Sequence, residues 1–262
     1  MENLNFKQEA SKSLEKSIKK NEVSLNLNQY LRSDAVIKRL NQLVGENAEK
    51  WVSTILTVGT SSPQLRECDP KTIVHAAIQS ISLNLDIDKN LGFAHIVPYG
   101  KVAQFQMGYK GFIQLAIRSG KYQTINADVV FEGEIERPNK LTGEILINEE
   151  NKTSDKIIGY FAYFRTINGF EKSLYMTKAQ VEKHARAYSK SFNNERGRWK
   201  LDFDKMALKT VLKAILSKYG ILSIEMQNAI KNDQSVINDI ECDNVDYIDV
   251  IDESEEKETK DI

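Results

Sequence analysis

An α+β domain, an antiparallel β-sheet with packed helices, is the fold class this sequence of 262 residues predicts, and three observations lead to it. Apolar residues recur at helical spacing before Gly59 and again after Thr177. The stretch between them is dominated by short β-rich runs with hairpin signals. The alternation is neither a regular βαβ series nor all-β.

Residues 1–28 are rich in Lys, Asn and Ser and read as a flexible arm. Residues 29–58 read as helical, with Leu31, Ile37, Leu40, Val44, Trp51, Ile55 and Leu56 on the apolar side, until Gly59 to Pro63 breaks the pattern. Asp69 before Pro70 has the form of an N-cap followed by proline at the first helical position. It opens a helix through Ile73, Ala77, Ile78 and Ile81 that ends near Asn84. The period then shortens toward two, so residues 93–97 and 102–107 form a hairpin around Pro98, Tyr99 and Gly100. A helix over residues 109–118 stops at Gly120, a C-terminal glycine signal. Asn168 and Gly169 sit between two β-rich runs, the strongest short hairpin signal in the chain. The core is thus expected to span residues 29–232, followed by an acidic tail over residues 233–262 that is predicted to be disordered.

With 41% hydrophobic residues the chain has the material for a substantial core. It has no apolar run of membrane-spanning length and no apolar signal segment at its start, so a cytoplasmic protein is expected. Cys68 and Cys242 are too far apart in sequence to suggest a disulfide framework or a zinc site and are read as free thiols. The formal net charge of -1 hides an asymmetry. Residues 233–262 hold 12 acidic and 2 basic residues, a net of -10, which leaves +9 on residues 1–232. A basic body attracts polyanions, and an acidic tail repels them or competes for the same site. Nucleic acid is the leading partner class. Removing the tail is expected to leave activity on nucleic acid intact or faster.

The segment Lys178 to Lys218 holds 11 Lys or Arg against 4 Asp or Glu. In a helix from Asp202 to Lys218, Lys205, Lys209 and Lys213 fall at i, i+4 and i+8, a stripe with about 6 Å spacing opposite Ala207, Val211 and Ile215. Such a stripe suits a phosphate backbone, and Arg186, Lys190, Arg196, Arg198 and Lys200 lie nearby; an ordinary solvated face is the competing reading. Tyr188, Phe192, Trp199 and Phe203 interleave with these charges and are expected to serve mostly as core. Tyr99 and Tyr109, next to glycine or polar neighbours, are the better candidates for stacking on bases. Gln104 and Gln106 share one strand face ahead of Gly108 and Lys110 at a helix start, where amides and free N–H groups suit phosphate or base edges. Their alternative is the polar outer face of a half-exposed sheet. The candidate DNA-binding set is therefore Tyr99, Gln104, Gln106, Tyr109, Lys110, Lys190, Arg198, Lys205, Lys209 and Lys213.

Signatures of catalysis are weak. The sequence has no G-x-x-x-x-G-K-[ST] loop, no H-E-x-x-H and no G-x-S-x-G. His75, His95 and His184 are scattered. The expectation is a protein that is not an enzyme and uses no cofactor and no metal. A rival reading makes Asp86, Asp88 and the series Glu132, Glu134, Glu136 the Mg²⁺ ligands of a nuclease. A second rival is a passive single-strand coat protein.

Residues 83–122, LNLDIDKNLGFAHIVPYGKVAQFQMGYKGFIQLAIRSGKY, closely resemble the RecT family of phage and prophage single-strand annealing proteins. The likeness continues through IIGYFAYFRTINGFEKSLYMT and WKLDFDKMALKTVLKAILSKYG, and covers roughly residues 29–229. It implies an α+β annealing core like that of the Red-beta annealers. The implied activity is ATP-independent binding of single-stranded DNA and annealing of complementary strands during recombination. Implied partners are single-stranded DNA and the annealed duplex, further copies of the chain in a ring or helical filament, a phage exonuclease and the host single-strand binding protein. Carried onto this chain, the groove takes Gln104, Gln106, Tyr109 and Lys110 from the first motif and Lys205, Lys209 and Lys213 from the last.

Overall fold

Asn26 starts the first helix among the described residues, α1 (Leu27–Leu31), with a capping box: its side chain accepts from the Gln29 N–H while the Gln29 side chain accepts from its own. The structure, a computed structural model, describes residues 26–139, 141–189, 192–193 and 197–233, together with the backbone of 236–237 and 245–246. The helical run expected over 29–58 is three pieces rather than one. After α1 come α2 (Asp34–Val44), a 3-10 turn (Gly45–Asn47) and α3 (Ala48–Gly59). Gly45, at φ +55°, ends α2 in a conformation that L side chains rarely adopt. The apolar periodicity survives the breaks, since Leu31, Leu40 and Ile55 are all fully buried.

A short α4 (Pro63–Arg66) leads to α5 (Pro70–Ser82). The Asp69 carboxylate accepts from the Lys71 N–H at 2.9 Å, as the Asp-Pro pair predicts. Helix α5 buries Ile73, Val74, Ala77, Ile78 and Ile81 against a hairpin of β1 (Ala94–Tyr99) and β2 (Val102–Met107). Two hydrogen bonds fix the hairpin to the start of α5: Asp69 N–H to the Lys101 carbonyl at 2.7 Å, and Ala103 N–H to Thr72 Oγ1 at 2.9 Å. Across the hairpin His95 faces Gln106 and Val97 faces Gln104.

Helix α6 (Tyr109–Arg118) follows β2 through Gly108 and ends ahead of Gly120, at φ +64°, as expected. Its start is pressed onto the chain leading into β1. The Gly108 N–H donates to the Phe93 carbonyl at 2.9 Å, and a Cβ on Gly108 would stand 2.0 Å from the Gly92 carbonyl oxygen. A Cβ on Gly111 would stand 2.2 Å from the Phe93 oxygen. Glycine is what allows the two backbones to touch.

The main sheet has the order β3 (Tyr122–Phe131), β6 (Ile157–Thr166), β7 (Glu171–Thr177), all antiparallel, with β6 and β7 joined through Asn168 and Gly169. A two-stranded ribbon of β4 (Ile135–Pro138) and β5 (Ile145–Ile147) is inserted between β3 and β6. The α+β class is as expected, but the antiparallel strands form separate sheets rather than one. A second capping box, Thr177 with Gln180, starts α7 (Lys178–Tyr188). After α8 (Arg198–Leu201) the longest helix among the described residues, α9 (Phe203–Tyr219), lies across the main sheet and also packs on α6. It buries Ala207, Leu208, Val211, Leu212, Ile215 and Leu216. Helix α10 (Ile224–Asn232) closes against α6, and the backbone pair β8 (Val236–Ile237) and β9 (Val245–Asp246) follows. Among the described residues no helix is long and apolar enough to cross a membrane.

The backbone contact at Gly108 and Gly111 yields a first prediction. Substituting either by Ala is expected to lower stability by about 1–3 kcal/mol through forced displacement of the β1 lead-in, read as a shift of the urea midpoint at constant m. Ala at Gly100, where a Cβ meets nothing within 4 Å and only the positive φ of +59° resists, is expected to be milder.

Candidate nucleic-acid interface

Two segments of one hairpin region and a third about 90 residues later in the chain converge on one cleft of about 290 Å3. The lead-in to β1 supplies Lys89, Asn90 and His95; the end of β2 and start of α6 supply Gln106, Tyr109 and Lys110; α8 and α9 supply Arg198, Lys205 and Lys209. The Gly108 contact sets the first two walls side by side, and α9 sets the third. Six of the ten residues singled out from sequence thus line one space. Tyr99, Gln104 and Lys213 lie outside its lining, and Lys190 and Arg196 fall outside the described residues.

The cations around the cleft are held differently. Lys110 and Arg198 are exposed and have no ion-pair partner among the described residues. Lys205 is exposed and reaches Asp202, three residues earlier, at 2.6 Å. Lys209 departs from the expected solvated stripe: its side chain is 7% exposed and its ammonium donates to Asp233 at 2.8 Å. Lys213 donates to the other oxygen of the same carboxylate at 2.7 Å. The stripe fails because the chain following α10 brings Asp233 over this part of α9, so position 209 faces protein.

Asp233 is therefore part of the core rather than the first residue of a detached tail. Its side chain is 1% exposed, and besides the two ammonium groups it accepts from the Met107 N–H at 3.0 Å, at the junction of β2 and α6. Burial alone would push this carboxyl up; the charges and hydrogen bonds of Lys209 and Lys213 outweigh it and hold it below the usual carboxylate range. A deletion beginning at residue 233 removes this group along with the tail, so the expectation that such a deletion is harmless is withdrawn.

Gln104 and Gln106 are not on an outer sheet face. Both are buried, Gln106 at 4% exposure, in a hairpin that packs on α5. His95, the cross-strand neighbour of Gln106, was missed by sequence reasoning, although the hairpin register would have found it. Burial, then the positive charges of Arg198, Lys209 and Lys205, lower its pKa to about 4, so the imidazole is neutral at neutral pH.

The aromatic residues of the basic segment are largely structural. Trp199 is buried, edge-on to Phe203 at 5.5 Å and to Phe192 at 6.0 Å. Tyr188 is exposed, and Tyr109 is half-buried in the cleft wall. Four of the five acids considered for a metal have structural work, and the fifth, Asp86, is exposed. Glu132 pairs with Lys156, the buried Glu134 accepts from the Phe131 N–H at 2.7 Å, and Glu136 accepts from Asn148 and Asn151. Asp88 accepts from the Asn90 N–H at 2.7 Å. Among the described residues no group of three or more His, Cys, Asp or Glu is placed to hold a metal ion.

The motifs that build this cleft lie inside a match to the RecT family over residues 49–251. The chain belongs to the RecT family. The match extends past α10 into the acidic segment, further than the likeness read from the motifs alone. Among RecT relatives, a Bacillus subtilis (strain 168) protein described as uncharacterized protein YqaK is 50% identical over 214 residues, 82% of this chain and 74% of its own length. Protein RecT of Escherichia coli (strain K12) is 32% identical over 196 residues, 71% of each chain.

The ion triad carries the second prediction. Asp233→Ala leaves a buried ammonium without its carboxylate and is expected to destabilise by about 3–5 kcal/mol in urea unfolding. Because the folded pKa of Asp233 is depressed, its contribution is complete above the ordinary carboxylate pKa of about 3.9 and is lost as the pH falls through the lower folded value. The difference between wild type and variant should therefore be constant from pH 5 to 7, on the order of the plateau set by linkage, and shrink below about pH 4.

Proposed function

We propose that this protein binds single-stranded DNA along the cleft and anneals it to a complementary strand without ATP, as an oligomer acting in phage-type recombination. The observation that carries the proposal is the convergence of five basic side chains from three separate segments around a floor of neutral hydrogen-bonding groups. Membership of the RecT family supports the same reading. Exposed Lys110, Arg198 and Lys205 are suited to the phosphates, since each is free to exchange water or a surface partner for an anion. Lys209 acts from behind, its charge divided between the cleft and Asp233.

An annealer holds one strand by its backbone, lets a second strand test its pairing and retains a match. Ten stacked steps at about 1.4 kcal/mol each release about 14 kcal/mol, enough to drive the process without nucleotide hydrolysis. This fits a sequence that has no phosphate-cradling ATPase loop. In this proposal residues 29–232 form the annealing core, residues 1–28 an arm and residues 233–262 an acidic segment anchored at Asp233. The protein works in the bacterial cytoplasm with a phage exonuclease and the host single-strand binding protein.

The test mixes two complementary dye-labelled oligonucleotides with the protein, without ATP and without Mg²⁺, and follows energy transfer. Pairing well above the protein-free rate is expected. Binding without acceleration would reduce the protein to a strand coat, and shortening of the labelled strands on adding Mg²⁺ would revive the nuclease reading. A further prediction separates the phosphate grip from the fold. Arg198→Ala with Lys205→Ala is expected to reduce the slope of log K against log salt by about 1.4, two contacts at roughly 0.7 each for a single strand. An unchanged slope would place the strand elsewhere.

A further inference from the structure

The rim of the cleft is cationic and its floor is not. Gln106 is 4% exposed, lines the cleft, and its amide has no hydrogen-bond partner among the described residues. His95, opposite it in the hairpin, lines the same floor and likewise makes no side-chain hydrogen bond there. Neither group is sealed from solvent, so both remain accessible from the cleft and can exchange water for a partner that enters it.

The donor and acceptor pattern identifies the chemistry of that partner. A phosphate offers only acceptor oxygens. The glutamine amide offers two N–H donors and one acceptor, and a neutral imidazole offers one donor and one acceptor. Against a phosphate, the amide oxygen and the bare imidazole nitrogen would each face another acceptor. A nucleobase edge presents donors and acceptors side by side and satisfies both kinds. The apolar wall of Met107 and Met206 and the ring of Tyr109 suit the flat body of a base. A space of about 290 Å3 is at the small end of organic-ligand pockets and is larger than a bare phosphate requires.

We propose that Gln106 and His95 form a subsite for the edge of one nucleobase per protomer, while Lys110, Arg198 and Lys205 hold the phosphates that flank it. Rotation of the amide by half a turn exchanges its donor and acceptor, so the subsite accepts different bases and depends on the presence of a base rather than on its identity. Pinning one base fixes the register of the strand on the protein and leaves its neighbours outward for pairing.

The proposal rests on the cleft being the single-strand site, and the experiment separates the two. Fluorescence anisotropy compares a labelled oligonucleotide with an abasic strand of the same length and phosphate number, on wild type and on Gln106→Met, which preserves volume and removes the amide. Wild type is expected to prefer the base-bearing strand. Gln106→Met is expected to lose about three- to tenfold of that preference, with the salt slope unchanged. A variant that weakens both strands equally, or leaves the preference intact, would assign Gln106 to phosphate or to the fold and overturn the subsite. Wild type binding neither strand would overturn the reading of the cleft itself. If Gln106→Met does not melt as a folded protein, His95→Leu carries the same comparison with the same two outcomes.

Discussion

A single buried carboxylate ties together the parts of this protein that are furthest apart in sequence. Asp233 receives the ammonium groups of Lys209 and Lys213 from α9 and the backbone N–H of Met107 from the end of β2. The helix that crosses the main sheet and the hairpin that carries the first RecT motif are thereby fixed to each other at the back of the cleft. Two cations and one anion in a low-dielectric site hold geometry well because each partner is too costly to leave alone. The position of Lys205, one turn before Lys209 on α9, follows from that clamp, and Arg198 enters the cleft from the preceding α8.

The cleft also depends on backbone packing that uses no side chain. Gly108 and Gly111 bring α6 against the chain entering β1 so closely that methyl groups do not fit. This places Tyr109 and Lys110 beside His95 and Gln106 rather than a side chain's width away. The charge pattern is layered as a result: exposed cations at the rim, neutral amide and imidazole on the floor, and a partly compensated ion triad behind. Such layering keeps the net positive potential at the mouth, where a polyanion approaches, and restrains it inside.

Much of this was legible in the sequence, and the parts that were not share a cause. Local signals worked: the Asp69-Pro70 cap, the helix over 109–118 with Gly120 after it, and the Asn168-Gly169 turn each describe neighbours in the chain. The division of the antiparallel strands into separate sheets was not visible, because strand partners are chosen at long range. Lysine spacing on α9 identified a stripe, but spacing does not reveal which position a carboxylate from elsewhere in the chain will cover, and position 209 proved to be one. Asp233 was counted as one of many acids in a charged tail. Nothing in its neighbourhood distinguishes it, since its partners are 20, 24 and 126 residues away.

That last separation bears on how the protein comes into being. Folding during synthesis proceeds from the amino terminus, domain segment by segment. The hairpin, the sheet and α9 all leave the ribosome before the carboxylate that joins them, so Lys209 has no neutralising partner until the final part of the chain emerges. The cleft is thus the last feature of the core to be completed, and a nascent chain, though already basic, does not yet possess a formed grip for the nucleic acid that surrounds it.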